Sequence, residues 1–180
     1  TSSNNLFTGC TSLQSIELPE NRNIRYQYFY GCVSLERCII GNGCDTISKQ
    51  AFYNCGALKE ISIPDTVTTI ESGAFGGTGI SEFAYPPYVT AINGLGDMPR
   101  LTRVEIGENA VSVTGMGNCP LLETLIIRAT TPPTTDYWTL LNAPRIPNIY
   151  VPDTAVSAYK TASGWSKWAA YIKPLSEYNG

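Results

Sequence analysis

The fold of this chain is decided by the stretch Ala51-Phe52-Tyr-Asn-Cys55-Gly-Ala-Leu58-Lys-Glu-Ile61-Ser-Ile63-Pro64-Asp-Thr-Val67-Thr-Thr-Ile70. Phenylalanine, cysteine and leucine follow one another at intervals of three residues, and two isoleucines then alternate with serine. Because alternate residues of a strand point to the same side, Ile61 and Ile63 face one way and Ser62 the other. A strand this short cannot bury its own apolar side, so the pattern predicts stacking against neighbouring copies of itself.

The same pattern recurs along the chain. Its phenylalanines are Phe7, Phe29, Phe52 and Phe75, at intervals of 22, 23 and 23 residues. The fourth unit is one residue shorter between the phenylalanine and the strand core at Phe83, and later units keep the phase with Leu95 and Met116. A period of 20–29 residues with alternating apolar strand cores is typical of leucine-rich repeats. We therefore predict a repeat solenoid of short parallel β-strands and turns, with about six units over residues 1–128.

The repeat consensus A-F-x-x-C-x-x-L-x-x-I-x-I-P-x-x-V-x-x-I resembles the BspA-type leucine-rich repeat of bacterial surface proteins. The quoted third unit matches it almost in full, and the resemblance covers roughly residues 6–128. It implies an exported protein, at the cell surface or secreted. It also implies adhesion as one activity, since several members of the family bind host proteins such as fibronectin and fibrinogen.

The two ends of the chain differ from the repeats. The polar stretch Thr1-Ser-Ser-Asn-Asn5 leads directly into a unit without a cap, so we expect a fragment whose signal peptide and earlier repeats are missing. Residues 129–180 are predicted to hold a last strand at Ile149-Tyr-Val151 and a small helical C-terminal cap. A single helical turn is expected over Asp136 to Leu141.

The predicted cap is rich in aromatic residues. Asp153 is expected to be the N-cap of a helix over Thr154 to Ala162. Trp165, Trp168 and Ile172 then follow at helical spacing. This tail also resembles the C-terminal cap of the family. We favour aromatics that seal the last repeat; the alternative is a platform that docks a sugar or a protein.

Composition excludes several classes of function. The 180 residues carry a net charge of −3 and a pI of about 4.9, which argues against nucleic-acid binding. The absence of histidine excludes Ser-His-Asp and Cys-His catalysis and histidine-ligated metals. No apolar run approaches the ~20 residues of a membrane span. We predict no cofactor and no metal.

Six cysteines require an interpretation. Cys10, Cys32, Cys55 and Cys119 occupy one column of the repeat, in which Thr78 and Met98 also stand. Since threonine and methionine cannot form disulfides, the column favours small, buried, apolar side chains and hence free thiols. Disulfides between neighbouring units and a metal site are the alternatives.

The candidate binding residues are those expected to point outward from the concave sheet, the surface through which most repeat proteins bind partners. They are Arg37, Ile39, Glu60, Ser62, Glu82, Arg103, Glu105, Ile126 and Tyr150. Exposed apolar side chains such as Ile126 and Tyr150 often mark contacts. An ordinary mixed surface is the alternative.

Glu60 and Glu82 are neighbours in this predicted sheet, so their carboxylates are expected near 5 Å apart, a separation seen in retaining glycosidases. The flanking Arg37 and Arg103 favour simple charge balance instead. A flat sheet also lacks a pocket that would separate two carboxyl pKa values. We therefore predict that the protein is not an enzyme.

Tyrosines cluster at the turns of the second and third units, at positions 26, 28, 30 and 53. We favour packing along the side of the solenoid, with docking of a protein or glycan as the alternative. For the whole chain we predict a non-catalytic binding module whose partner is a host extracellular-matrix or cell-surface protein, with a glycan second. The alternative function is a structural spacer or display domain of a longer surface protein.

Overall fold

Thirteen short parallel strands form a β-solenoid of about seven turns. The computed structural model describes residues 5–136, 139–140 and 142–180. The strands are β1 (Ser15–Glu17), β2 (Arg37–Ile39), β3 (Thr46–Ile47), β4 (Glu60–Ser62), β5 (Thr69–Ile70), β6 (Glu82–Ala84), β7 (Ala91–Ile92), β8 (Arg103–Ile106), β9 (Ser112–Val113), β10 (Thr124–Ile127), β11 (Thr134–Thr135), β12 (Asn148–Val151) and β13 (Ile172–Pro174). The predicted repeat solenoid is confirmed.

Each turn contributes one strand to a main sheet on one side of the solenoid. The main-sheet strands of turns one to seven are β1, β2, β4, β6, β8, β10 and β12, and β13 adds to the last of them. Equivalent repeat positions pair in register, as in Ser15 with Arg37 and Arg37 with Glu60. Inward residues such as Cys38 and Val104 are fully buried, whereas Ile16 and Ile61 are half-buried. Side chains along these strands therefore alternate between the core and the surface, as the sequence predicts.

A second set of two-residue strands runs along another side of the solenoid. These strands, β3, β5, β7, β9 and β11, bury one apolar residue from most turns, among them Ile47, Ile70 and Ile92. Together the two sets of strands enclose one continuous hydrophobic core.

Phenylalanines stack at the corner that precedes each main-sheet strand. The ring centroids of Phe7, Phe29, Phe52 and Phe75 lie 5.1, 5.0 and 5.5 Å apart along the column, with the rings nearly parallel. A spacing near 5 Å matches the distance between paired strands, so one side chain per turn forms a continuous stack.

The cysteine column is buried and donates hydrogen bonds between turns. The thiols of Cys32, Cys55 and Cys119 donate to the carbonyls of Phe7, Phe29 and Leu95, at 3.0, 3.1 and 3.0 Å. All six cysteines are free. Burial raises the pKa of Cys38 and of Cys55 to about 12 and that of Cys119 to about 11. These contacts support the free-thiol interpretation.

Cys10 is the exception in this column because its side chain is exposed. In the described part of the chain, no turn packs on the outer side of turn one. The expectation that the whole column is buried is therefore wrong at its first position.

The seventh turn was not counted among the repeats predicted from the sequence. Leu140, Ala143, Ile146 and Ile149 stand at the repeat's phenylalanine, cysteine, leucine and strand positions. The turn escaped detection because leucine and alanine replace phenylalanine and cysteine after a longer insertion. The helical turn expected over residues 136–141 falls partly on Tyr137, Trp138 and Leu141, which lie outside the described residues.

The C-terminal cap combines short helices with one strand. A 3₁₀ helix (Asp153–Ala155), the helix α1 (Val156–Thr161) and a 3₁₀ helix (Ser166–Tyr171) precede β13, and a 3₁₀ turn (Leu175–Glu177) follows it. The prediction that Ile172 belongs to a helix is wrong. Ile172 instead pairs with Ile149 and extends the main sheet by one strand.

The tryptophans of the cap are buried, so the docking-platform alternative is wrong. Trp165 is fully buried and donates its indole N–H to the carbonyl of Pro133 at 2.6 Å. Its ring meets those of Tyr159 and Trp168 edge-on, at 5.5 and 5.6 Å. Tyr159 donates its hydroxyl to the carbonyl of Ala129 at 2.9 Å. The buried cluster therefore seals the last turns as expected.

Candidate functional site

The outward side chains of the main-sheet strands form one surface, called here the outer face. Glu17, Ser62 and Ala84 are exposed on it, whereas Ile39 and Tyr150 are half-buried. Ile126 is only 1% exposed, so the prediction that its side chain is accessible is wrong. The outer face is therefore open over the first turns and covered over the last ones.

Tyr178 covers the outer face of turns five to seven. Its hydroxyl accepts a hydrogen bond from the Arg103 Nε at 2.9 Å, and its ring centroid lies 5.1 Å from that of Tyr150. Because Arg103 lies on β8 and Tyr150 on β12, the Tyr178 side chain crosses the intervening β10. Ile126 lies on that strand, which accounts for its burial.

Asp153 anchors the segment that carries Tyr178. It is not the N-cap predicted from the sequence, because α1 begins without a side-chain cap. Its carboxylate instead accepts a hydrogen bond from the backbone N–H of Ser176 at 3.0 Å. The Ser176 side chain and this N–H together lower the pKa of Asp153. Residues 175–178, called here the C-terminal tail, are thus tied to the cap at one end and to the outer face at the other.

An ionic cluster lies beside the tail. The Glu105 carboxylate contacts the guanidinium groups of Arg103 and Arg128, each at 2.6 Å. Burial by itself would raise the pKa of Glu105, but the hydrogen bonds from Arg128 and Arg103 outweigh it and the pKa is lowered. Two of the predicted binding residues, Arg103 and Glu105, are therefore engaged within the protein itself.

The main sheet is interrupted between turns three and four. Among the residues that the structure describes, β4 pairs only with β2 and β6 only with β8. Most Cα–Cα distances between β4 and β6 exceed 8 Å, whereas paired strands lie about 4.8 Å apart. The expectation that Glu60 and Glu82 stand side by side in one ladder is therefore wrong.

The shortened fourth unit explains the interruption. Ile80 stands two residues after Thr78. In the other units the equivalent interval, as from Cys55 to Leu58, is three residues. The shorter loop runs close to turn three, so that a side chain at Gly79 would meet the carbonyl oxygen of Gly56 at 2.7 Å. The second set of strands is also unpaired at this point, between β5 and β7.

A groove of about 420 Å³ opens at the interruption. Arg37, Ile39, Glu60, Ser62 and Glu82 line it, so this part of the predicted site comes together in space. The remaining predicted residues, Arg103, Glu105, Ile126 and Tyr150, lie near the C-terminal tail.

Lys59, Ile61 and Ile63 also face the interruption and were not predicted as site residues. Ile61 and Ile63 belong to the inward column, but they are only half-buried because no strand closes over them. The missing residue in the fourth unit was the available signal, since a change of repeat length displaces the strand that follows it.

The turn tyrosines mostly pack on the solenoid, as favoured. Tyr28 is buried, and Tyr30 and Tyr53 stack at 5.7 Å with nearly parallel rings. Tyr53 lies over Gly76, where a side chain would meet its ring at 2.6 Å. Tyr26 remains 44% exposed.

Sequence comparison assigns the chain to a family. The model of the BspA type leucine rich repeat region matches residues 3–95 with six copies. The match covers more than half of the chain, so the protein belongs to this family, and the resemblance seen in the repeats is confirmed. Among curated proteins there is no significant match.

Solved structures share the fold. A leucine-rich repeat protein from Bacteroides ovatus ATCC 8483 is 25% identical with a TM-score of 0.64, and the alignment covers 83% of this chain and 42% of that one. The pneumococcal vaccine antigen PcpA is 20% identical with a TM-score of 0.66, covering 90% of this chain and 40% of the antigen. A leucine rich cell surface protein from Faecalibacterium prausnitzii A2-165 is 23% identical with a TM-score of 0.52, covering 92% and 40%.

This chain thus spans about two fifths of the length of these structures. Within the residues that the structure describes, no helix has the length and apolar character needed to cross a bilayer.

Proposed function

We propose that the chain is a non-catalytic protein-binding module of an exported bacterial surface protein, and that it binds through the outer face of turns one to four. The observation that carries this proposal is the difference in coverage along that face. Residues of the first turns are open, whereas the C-terminal tail occupies the face of turns five to seven. The family and the fold, shared with bacterial surface proteins, support an extracellular partner.

The partner is expected to be a host or neighbouring-cell protein, with a glycan second. An open, shallow face of mixed charge suits a protein surface, because such interfaces gain affinity from many distributed contacts. Arg37 and Ile39 lie at the centre of the open face and are the residues to substitute first. The absence of histidine from the sequence supports a non-catalytic role.

The test is a binding screen of the 180-residue chain against extracellular-matrix proteins, mucins and glycans at physiological salt. A ligand whose binding is lost with Arg37→Ala and retained with Arg145→Ala would support the proposal, since Arg145 is an exposed arginine that pairs with Glu123, outside the groove. Circular dichroism of each variant verifies folding. Binding that depends on Tyr150 or Arg103 instead would move the site to the turns covered by the tail.

A spacer or display role is the second candidate. The observation in its favour is that the chain covers only about two fifths of its structural neighbours, so other parts of a longer protein would supply the binding activity. A folded chain that binds nothing in the screen, while a longer form of the protein does bind, would favour this role.

A further inference from the structure

We propose that the interruption between β4 and β6 binds an extended peptide segment of the partner, which adds as a parallel strand and places a lysine or arginine between Glu60 and Glu82. This inference rests on the proposed function, because it names the chemistry of a partner at the same outer face. Four features of the interruption carry it: free backbone groups, width, charge and apolar side chains.

Free backbone groups line the interruption. In intact pairs, the N–H of Ile40 donates to the carbonyl of Ser62 at 3.0 Å, and the N–H of Tyr85 donates to that of Glu105 at 2.9 Å. The equivalent N–H of Ile63 donates no such bond to β6 in the described part of the chain. Strand edges of this kind are templates for an added strand.

The interruption is wider than the spacing of paired strands, so an added strand needs less opening here than elsewhere in the sheet. Two strands with a third between them stand about 9.6 Å apart, twice the ordinary spacing of about 4.8 Å. Most Cα–Cα distances between β4 and β6 already exceed 8 Å. Turns three and four remain joined at the corner by the Phe52–Phe75 stack, with ring centroids 5.5 Å apart. A small rotation about this corner would admit a strand.

Two glutamates and Lys59 line the interruption, and the outward column on either side of it alternates in charge. Arg37 pairs with Glu60 at 3.6 Å, and Arg103 pairs with Glu82 at 3.7 Å. Read across the sheet, the column is positive, negative, open, negative, positive. A lysine or arginine at the open position would complete the alternation, because opposite charges stabilise neighbouring positions of a sheet and like charges destabilise them.

The inner side of the interruption is apolar. The position after the peptide's cation would point inward between Ile61 and Phe83, and the position two further on would lie beside Ile63. Ile61 and Ile63 are half-buried, so they have apolar surface left to cover. The peptide residue between these two apolar positions would point outward. Its neighbours on the outer face, Ser62 and Ala84, are small and leave room for any side chain. The expected motif is therefore basic, apolar, any residue, apolar.

Fluorescence anisotropy with a labelled peptide Thr-Lys-Val-Ser-Val-Thr tests the proposal. We expect saturable binding to the 180-residue chain, and an affinity lower by about tenfold for the peptide with glutamate in place of lysine. N-methylation of alternate peptide amides should abolish binding, because it removes the hydrogen bonds of an added strand. The double variant Glu60→Gln, Glu82→Gln should lose about tenfold as well.

Glu123→Gln is the matched control, since Glu123 is an exposed glutamate that pairs with Arg145, outside the outer face of turns one to four. It should bind the lysine peptide as the unmodified chain does. Equal affinity for the N-methylated peptide would overturn strand addition, and equal affinity for the glutamate peptide would overturn the charge assignment.

Competition separates this inference from the proposed function. If a protein partner from the screen binds and the lysine peptide neither binds nor competes, strand addition is wrong and the proposed function stands. If the peptide binds while no protein partner is found and none competes, the groove is a peptide site and the proposed partner class is wrong.

Discussion

Turns one to four and turns five to seven are built from one repeat, yet their outer faces differ in exposure. In turns one to four most outward side chains meet solvent, and within the described residues the other edge of β4 has no paired strand. In turns five to seven the tail covers the same positions, and β13 continues the sheet. The comparison shows that a solenoid can cover part of a uniform surface with its own chain and leave the rest exposed.

The largest expected effect tests whether the last turns depend on the cap. Trp165→Ala should lower the free energy of unfolding by about 3–5 kcal/mol, because it empties a fully buried site. Urea denaturation measures the change. Tyr88→Ala, at a side chain that is 62% exposed, is the control and should cost less than about 0.5 kcal/mol. Equal effects would mean that the aromatic cluster contributes no core to the last turns.

Thiol reactivity compares the exposed first position of the cysteine column with the buried ones. In the native protein, Cys10 should react with a disulfide reagent first, because it is exposed. Cys38, Cys55 and Cys119 should react more than about a hundredfold slower, because they are buried with raised pKa values and only the thiolate is reactive. Mass spectrometry of partially labelled protein identifies the site. Fast labelling of Cys55 would contradict a continuous core.

Tyr178→Ala tests the tail as a cover of the last turns. The substitution should lower the free energy of unfolding by about 1–3 kcal/mol, because it removes a hydrogen bond from Arg103 and exposes Ile126. Urea denaturation again gives the value. Tyr171→Ala, at an exposed tyrosine of the cap, is the control and should cost less. A Tyr178→Ala variant as stable as the original would show that the tail adds no stability.

Hydrogen exchange tests the interruption directly. The amide of Ile63 should exchange at least about tenfold faster than those of Ile40 and Tyr85, because only the latter two donate across the main sheet. Nuclear magnetic resonance resolves the three rates. Comparable protection of all three amides would mean that β4 and β6 pair in solution.

The smallest effect concerns the ionic cluster beside the tail. The folded protein lowers the pKa of Glu105, so this carboxylate adds stability above the carboxyl pKa of the unfolded chain, about 4.3. That stability is lost as the pH falls below this value and through the lower pKa of the folded state. Glu105→Gln should flatten the acid side of the stability curve, as measured by thermal unfolding between pH 2 and 7. An unchanged slope would contradict the assignment.

Much of the fold could be predicted from the sequence, because the repeat places each side chain in one column of the solenoid. Phe52, Cys55 and Leu58 reach the core wherever the unit occurs, and local spacing alone determines which side of a strand is buried. The seventh turn was missed where leucine and alanine replace the marker residues. Asp153 was misassigned because its partner, Ser176, is remote in sequence.

By itself, the sequence determined the solenoid, its inward columns, its family and the aromatic cap, since each depends on spacing within one repeat or on the order of neighbouring repeats. Only the tertiary structure decided which outward residues are exposed to solvent and which are covered by the C-terminal tail. Tyr178 reaches Arg103, seventy-five residues earlier in the chain, and no periodicity records such a contact. The interruption also depends on residues that are distant in sequence. The loop of the fourth unit is one residue short, and this prevents the pairing of β4 with β6, which belong to different turns.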